Sequence, residues 1–380
     1  MSKVVIVGGG FAGISFLTNL CRFGKGFEIT LIDKKESFDF LPLLPDLIGR
    51  GIKPEYLKAD LKSLCAKLKA DFINQEVKTI DAPNREIVTE KGRLSYDYLV
   101  VSCGSQTNFY GNSQIESIAY KLDSVGDTLR LMSSLREKQF SQCIIAGGGY
   151  TGIEIATNLR SYFKKNMTGK KITIIEQSSG ILGPLPGWIK DYTIENLKRL
   201  EIDIITGSSI EKVENRDITL SDKRQLKDCM LIWCAGVKVP DIVDNLKGQR
   251  GRQNRVVVDE YLRLSENCFV IGDASCFNHK NVPLRMAIQF SLVQGRIAAK
   301  NIISTQKNKR LIKYRPRDLG YIVPMVNNRS CGIVLGIKVK GFLATFLHFF
   351  MCIYRSLTFY NKFGLIKDLI RGGNKHEDTK

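Results

Sequence analysis

The 380-residue sequence predicts an α/β protein with two copies of one strand–turn–helix–strand unit and a helical C-terminus. Three stretches carry that reading. A glycine-rich turn between two apolar strands fills residues 1–33. The same arrangement recurs at 143–176. An apolar and then amphipathic stretch follows residue 341.

In the first unit, Lys3-Val4-Val5-Ile6-Val7 is a β-branched run, too short for a helix and bounded by Gly8-Gly9-Gly10. Such a run suits a buried parallel strand. Gly8, Gly10 and Gly13 follow the spacing G-x-G-x-x-G. The first permits a tight turn, the second lets a pyrophosphate approach the backbone, and the third lets the helix lie close to the sheet. Ile14 to Leu20 continues as a helix whose amino end faces the phosphates. Glu28 to Ile32 is the next strand and ends in Asp33, a carboxylate placed to accept hydrogen bonds from a ribose diol.

Apolar and charged contents of 43% and 25% are those of a folded domain of ordinary type, and the length suggests about two to three domains. The formal charge of +19 implies an acidic partner, nucleic acid and an anionic membrane surface being the usual candidates. Ten cysteines contain no C-x-x-C pair, which argues against a disulfide framework or a thiolate zinc site and for a reducing compartment. His279, His348 and His376 are the only histidines and lie far apart, so no metal is expected. The N-terminus enters its first strand at once, leaving no room for a signal or transit peptide.

Beyond Asp33, Ser37-Phe38-Asp39-Phe40-Leu41-Pro42-Leu43-Leu44-Pro45 forms an apolar loop at a strand end, where ligands are normally reached. A helix is expected over 52–68. Strands are expected at 72–80, 86–89 and 98–102, the last entering Cys103-Gly104, with a helix over 123–136. Cys143 to Ala146 then opens the second unit. Gly147, Gly149 and Gly152 repeat the spacing, a helix spans 154–163, and strand 171–175 ends in Glu176. Two such units imply two dinucleotides in separate domains. Strands at 202–205, 218–220 and 230–233 follow. Strand residues Phe269 to Ile271 lead into Gly272-Asp273, where a carboxylate can meet a polyol. A helix over 286–303 carries Ala287, Ser291, Gly295, Ala298 and Ala299, small enough for close packing.

Residues 341–354 are almost wholly apolar but fall short of the ~20 residues of a spanning helix. The stretch that follows alternates Leu357, Phe359, Phe363, Ile366 and Ile370 with Arg355, Lys362, Lys367 and Arg371. Aromatics flanked by basic residues describe a segment lying in a membrane interface. An ordinary core or dimer helix is the alternative. From Gly372 a disordered tail is expected.

The motif order resembles the two-dinucleotide-binding flavoprotein oxidoreductases, and within them the type II NADH:quinone oxidoreductases. The resemblance rests on Val4 to Gly13, Pro42-Leu43-Leu44, Leu99 to Gly104 with Asn108 to Gly111, and Gly147 to Glu154. Trp233 to Val237, Ile271-Gly272-Asp273, Ala299 to Ile302 and Gly341 to Ala344 complete it. It implies two Rossmann-like domains and a C-terminal amphipathic membrane-binding segment. Non-covalent FAD would be held by Gly8, Gly10, Gly13, Asp33, Gly104, Gly272 and Asp273. Gly147, Gly149, Gly152 and Glu176 would hold NADH. Glu154 would lie near the nicotinamide and flavin, with a helix-terminal carboxylate as its plainer reading. Gln289 and Gln294 match two glutamines of the family's quinone-side helix, whereas Ile288 and Val293 depart from its pattern.

The implied domains are 1–115 (FAD, first part), 116–258 (NADH, inserted), 259–310 (FAD, second part, with the quinone-side helix) and 311–380 (membrane-associated). The implied partners are a membrane quinone, an anionic membrane surface and a second copy of the chain, with no nucleic acid and no proton pumping. Location is expected to be peripheral, on the cytoplasmic side of the plasma membrane. A sulfide:quinone oxidoreductase would need a cysteine pair, with Cys331 and either Cys276 or Cys103 as candidates. A soluble reductase of a small redox protein leaves the apolar C-terminus without a use. A redox-sensing nucleic-acid-binding flavoprotein lacks a legible recognition surface.

Overall fold

The computed structural model describes residues 1–166 and 169–374. The chain forms two compact units, each drawn from three stretches of sequence. The first comprises Met1–Phe38, Ala59–Gln106 and Val237–Asp318, and the second Asp39–Lys58, Thr107–Gly236 and the residues from Leu319. Residues 39–58 and 107–115 group with the second unit, and 237–258 and 311–318 with the first. The short helix Leu44–Gly49 packs on helix Tyr150–Asn166 of the second unit. Val239, Val243, Leu246 and Val256 share one apolar core with Val5, Val7, Val101 and Val270 of the first.

The first unit is built on a six-stranded sheet in the order Arg263–Ser265, Cys268–Val270, Tyr98–Val101, Ser2–Val7, Phe27–Asp33, Asp71–Asn74. All pairs are parallel except the outermost one, between Arg263–Ser265 and Cys268–Val270. The late strand Cys268–Val270 pairs with Tyr98–Val101, so a segment more than two hundred residues downstream ends at the same sheet edge as the first glycine turn. Helix Phe11–Phe23 lies against helix Ile288–Gln306. They pass close at Gly295, where a methyl group would fall 2.4 Å from the Ala12 carbonyl oxygen. Gly295 therefore serves helix packing.

The second unit holds a four-stranded parallel sheet in the order Ile202–Thr206, Lys171–Glu176, Gln142–Ala146, Cys229–Trp233. That order repeats Asp71–Asn74, Phe27–Asp33, Ser2–Val7, Tyr98–Val101 of the first unit strand for strand. An antiparallel sheet of Gly320–Val323, Cys331–Val334 and Ile337–Lys340 joins this unit, followed by helices Phe342–Arg355 and Phe359–Asn374.

Two expected elements divide. Residues 52–68 form a single turn at Pro54–Leu57, a strand at Lys58–Asp60 and a helix at Leu61–Lys67. Asp60 caps that helix by accepting the Ser63 N–H at 2.6 Å, which starts a new element where the periodicity read as continuous. Residues 72–80 become Asp71–Asn74 and Val77–Asp81 in separate sheets, parted where the Gln75 N–H bonds the Asp33 carbonyl. The tail expected from Gly372 is still helical to Asn374, and residues 375–380 lie outside the described residues.

Gly295→Ala is expected to destabilise the first unit by about 1–3 kcal/mol, because the methyl meets backbone that cannot rotate away. Urea unfolding of the variant checks this through a lowered midpoint at unchanged slope.

Candidate functional site

The two glycine turns are built alike, bond for bond. Gly8 and Gly147 both take φ +105°, which a side chain would resist, and donate their N–H groups to Ile32 O (2.9 Å) and Ile175 O (2.8 Å). A methyl on Gly13 would lie 2.0 Å from Gly8 O, and one on Gly152 would lie 2.0 Å from Gly147 O. Only glycine lets these helices sit so close to their strands. Beside Gly10 and Gly149, in contrast, space is open within 4 Å of where a Cβ would be. A phosphate group fits there against bare backbone at a helix amino end.

The terminal carboxylates also match. Asp33 accepts the Gly9 N–H (2.6 Å) and the Lys35 N–H (2.8 Å), and Glu176 accepts the Gly148 N–H (2.7 Å) and the Ser178 N–H (2.9 Å). Each carboxylate is thereby fixed in direction and retains lone pairs for a ribose diol. A cavity of about 420 Å³ opens beside Gly8, Asp33, Cys103 and Gln106. A larger cleft of about 1160 Å³ in the second unit is lined by Gln139, Phe140 and Cys229 to Leu231, at the amino ends of the strands. Ligands of such sheets bind at the carboxyl ends, so the chemistry of the glycine turns and not cleft volume locates the sites.

Gly272-Asp273 completes the first site. Gly272 (φ +71°) leaves room for only 2.8 Å between an added methyl and Ala12 Cβ, so the turn sits directly on the first glycine-turn helix. Asp273 accepts the Ser105 hydroxyl at 3.2 Å, and burial raises its carboxyl above the usual range against the pull of Ser105 and Arg255. Gly104 (φ +69°) follows the strand between them. Gln294 is buried, and its amide oxygen accepts the Gly272 N–H (2.6 Å) and the Ser275 hydroxyl (3.1 Å). It holds the Asp273 turn. Gln289 instead donates to Asp318 at 2.8 Å, so the two glutamines of this helix are not brought together. Cys103, Cys276 and Cys331 are all free, the last two buried, and burial pushes the Cys103 thiol up to about 12.

In the second unit a polar cluster forms that the sequence did not announce. Glu154 comes from helix Tyr150–Asn166, Asp46 from Leu44–Gly49 and His348 from Phe342–Arg355, with donor atoms all within 4.8 Å of one another. Asp46 pairs with Arg50 at 3.0 Å, whose guanidinium also donates to Val326 O at 2.8 Å and lies over the Phe349 ring. Glu154 Oε1 is buried without a hydrogen-bond partner. Burial raises both carboxyls; Arg50 opposes this at Asp46, whereas at Glu154 the neighbouring Asp46 adds to it. Burial, Arg50 and Arg355 push His348 down to about 4. At neutral pH the cluster thus holds the Asp46–Arg50 ion pair and a neutral imidazole, beside a Glu154 carboxyl that holds its proton more tightly than usual. Such a set of donors suits a metal ion in kind, yet Arg50 already supplies positive charge beside Asp46. Nothing local links residues 46, 154 and 348; of the three only Glu154 was singled out in sequence, and Asp46 pairs with Arg50 four residues on.

A carboxyl whose folded pKa is raised favours the folded state below its unfolded value, and that contribution is lost as pH rises through the folded value. Glu154→Gln removes the loss. Thermal unfolding from pH 5 to 9 should show the variant gaining on the parent by a few degrees toward the alkaline end.

Comparisons with known proteins agree with this geometry. The chain is 25% identical to an external alternative NAD(P)H-ubiquinone oxidoreductase B3 of Arabidopsis thaliana mitochondria, over 74% of this chain and 56% of that protein, so it spans little more than half of that relative. It is 26% identical to a type II NADH:quinone oxidoreductase of Haemophilus influenzae, over 87% of each chain. The fold matches that of NDH2 from Plasmodium falciparum, solved in complex with NADH, at a TM-score of 0.84 and 17% identity, covering 97% of this chain and 98% of that one. Residues 2–296 match the family model described as pyridine nucleotide-disulphide oxidoreductase. With its duplicated glycine turns and paired terminal carboxylates, the chain belongs to the pyridine nucleotide-disulphide oxidoreductase family.

Proposed function

We propose that this chain oxidises NADH through a non-covalently bound FAD and delivers two electrons to a membrane quinone. The observation that carries the reading is the pair of matching glycine turns, each ending in an oriented carboxylate, in a chain whose last helices turn apolar faces outward. The relatives named above act on NADH or NAD(P)H and on quinones, which supports it. FAD, when bound, accepts a hydride from the nicotinamide and passes the electrons on as a pair. The overall change consumes NADH, one proton and quinone and yields NAD⁺ and quinol.

The chain's part is to bind, orient and supply a proton. Gly8, Gly10, Gly13 and Gly104 admit the FAD phosphates, Asp33 takes the ribose, and Asp273, fixed by Ser105, meets the polyol. Gly147, Gly149 and Gly152 receive the NADH pyrophosphate. Glu176 selects NADH, since a 2′-phosphate would meet its carboxylate, and Gln177-Ser178-Ser179 offers no arginine. Glu154, whose buried carboxyl holds its proton more tightly than an exposed one, stores a proton for quinone reduction. Gln294 positions the Asp273 turn, and Gln289 is assigned to the quinone side by resemblance alone.

Attachment to an anionic membrane surface rests on the last two helices. Thr345 and Asn361 face inward: the Thr345 hydroxyl bonds Ser330 Oγ at 2.8 Å, and the Asn361 amide donates to Tyr56 O and Lys58 O, both at 2.9 Å. Phe342, Phe346, Phe350, Phe359 and Phe363 face outward, each more than half exposed. Apolar rows of this kind mark interaction sites. Among the described residues no helix is long and apolar enough to cross a membrane. The reading includes the cytoplasmic side of the plasma membrane and a homodimer, the latter carried by resemblance and checked by analytical sedimentation.

Mixing the FAD-loaded protein with NADH should bleach the flavin, and a short-chain quinone should restore it with continuous NADH oxidation; absence of both would sink the reading. NADH should exceed NADPH in kcat/KM by at least about tenfold, and Glu176→Gln should narrow that gap. Phe346→Ser with Phe350→Ser should weaken sedimentation with anionic vesicles by at least about tenfold. Reduction of a water-soluble acceptor should persist in that variant.

A further inference from the structure

The hairpin of Cys331–Val334 and Ile337–Lys340 turns through two residues, Leu335 and Gly336. Both have positive φ, +50° and +83°. Asparagine or aspartate before glycine is the usual choice there, because a bulky side chain is strained in that conformation. Leucine accepts that strain and recovers nothing from packing, for it is 70% exposed and Ile337 beside it is 68% exposed. Local turn chemistry does not explain this residue.

The two faces of the hairpin can be told apart. Cys331 pairs across the ladder with Lys340, and Ile333 with Lys338. On that face Cys331 Sγ lies 3.7 Å from the Thr193 hydroxyl, and Lys338 and Lys340 lie over the rings of Trp188 and Tyr192, all three on helix Gly187–Arg199. Side chains alternate along a strand, so Ile337 and Val339 point to the opposite face. Helix Phe342–Arg355 packs on this hairpin and begins two residues beyond Lys340. Leu335 and Ile337 therefore stand at the free end of a strand that leads straight into the outward row Phe342, Leu343, Phe346, Phe350. The charge is of one sign. From residue 319 to 370 there are six basic side chains and a single acidic one, Asp368.

We propose that the Leu335–Ile337 tip is a second membrane-inserting element, a wedge that enters the headgroup region of an anionic bilayer separately from the two helices. Lys338 and Lys340 follow it at the level of the lipid phosphates, where long basic side chains can reach back to water. The inference rests on the membrane attachment proposed above. It adds a contact that neither the helices nor the glycine turns supply.

The full chain carrying Leu335→Asn and Ile337→Thr tests it. Asn-Gly is the favoured turn, so this variant should melt at or above the parent temperature. Its partition onto vesicles of phosphatidylglycerol and phosphatidylcholine should fall about five- to fiftyfold, from the two lost apolar side chains. Leu335→Trp gives a direct reading. With vesicles its emission should shift to the blue and be quenched by brominated lipid, beyond the background of Trp188 and Trp233. An unchanged partition for the double variant, or unshifted emission from the introduced indole while the protein is bound, overturns the wedge and leaves helix attachment standing. A parent chain that does not bind vesicles at all removes both readings. A blue shift without vesicles that grows with protein concentration assigns the tip to a second copy of the chain and also overturns the wedge.

Discussion

The close approach of a helix to a strand end, twice over, is the constraint on which this protein depends. At Gly13 and at Gly152 the helix backbone passes so near the turn that an added Cβ would lie 2.0 Å from a carbonyl oxygen. That contact aims the helix amino end along the sheet edge and brings Gly9 and Gly148 N–H groups onto Asp33 and Glu176. Glycine turn and strand-end carboxylate are thus one mechanical unit: moving the helix outward would release the carboxylate as well.

The two copies differ in what surrounds them. In the first unit a strand from far along the chain, Cys268–Val270, joins the sheet and delivers Gly272-Asp273 to the same edge, with Gln294 bonding the turn from behind. Helix Ile288–Gln306 clamps the first glycine-turn helix through Gly295. The first site is therefore closed by residues more than two hundred positions from its own glycines. No equivalent late strand joins the sheet of the second unit among the described residues.

The C-terminal helices reverse the usual disposition of an amphipathic element. Thr345 and Asn361 are spent on backbone and side-chain partners inside the protein, while Phe342, Phe346, Phe350, Phe359 and Phe363 face outward. Gly364 allows the last helix to rest on the Tyr56 ring, an approach a side chain would block. The outer apolar face is thereby held in place from within.

Much of this was written locally. The glycine spacings, the β-branched strands that flank them and the carboxylates at the strand ends act within about thirty residues, and each is dictated by steric fit or by a hydrogen bond to its own turn. The same holds for the exposed C-terminal face, whose periodicity is visible in the residue order. What only the tertiary structure decided involves groups with no sequence relation. Resemblance places Gln289 and Gln294 alike on a quinone-side helix, whereas folding gives the Gln294 amide oxygen to the Gly272 N–H and sets Gln289 at Asp318. Residues 39–58 fall within the expected first span 1–115, and helix Leu44–Gly49 packs on Tyr150–Asn166. That packing sets Asp46 against Glu154, and His348 arrives on a third helix. The proton affinity of Glu154 comes from burial and a neighbouring carboxyl, and both are properties of packed space, which residue order along a chain does not encode.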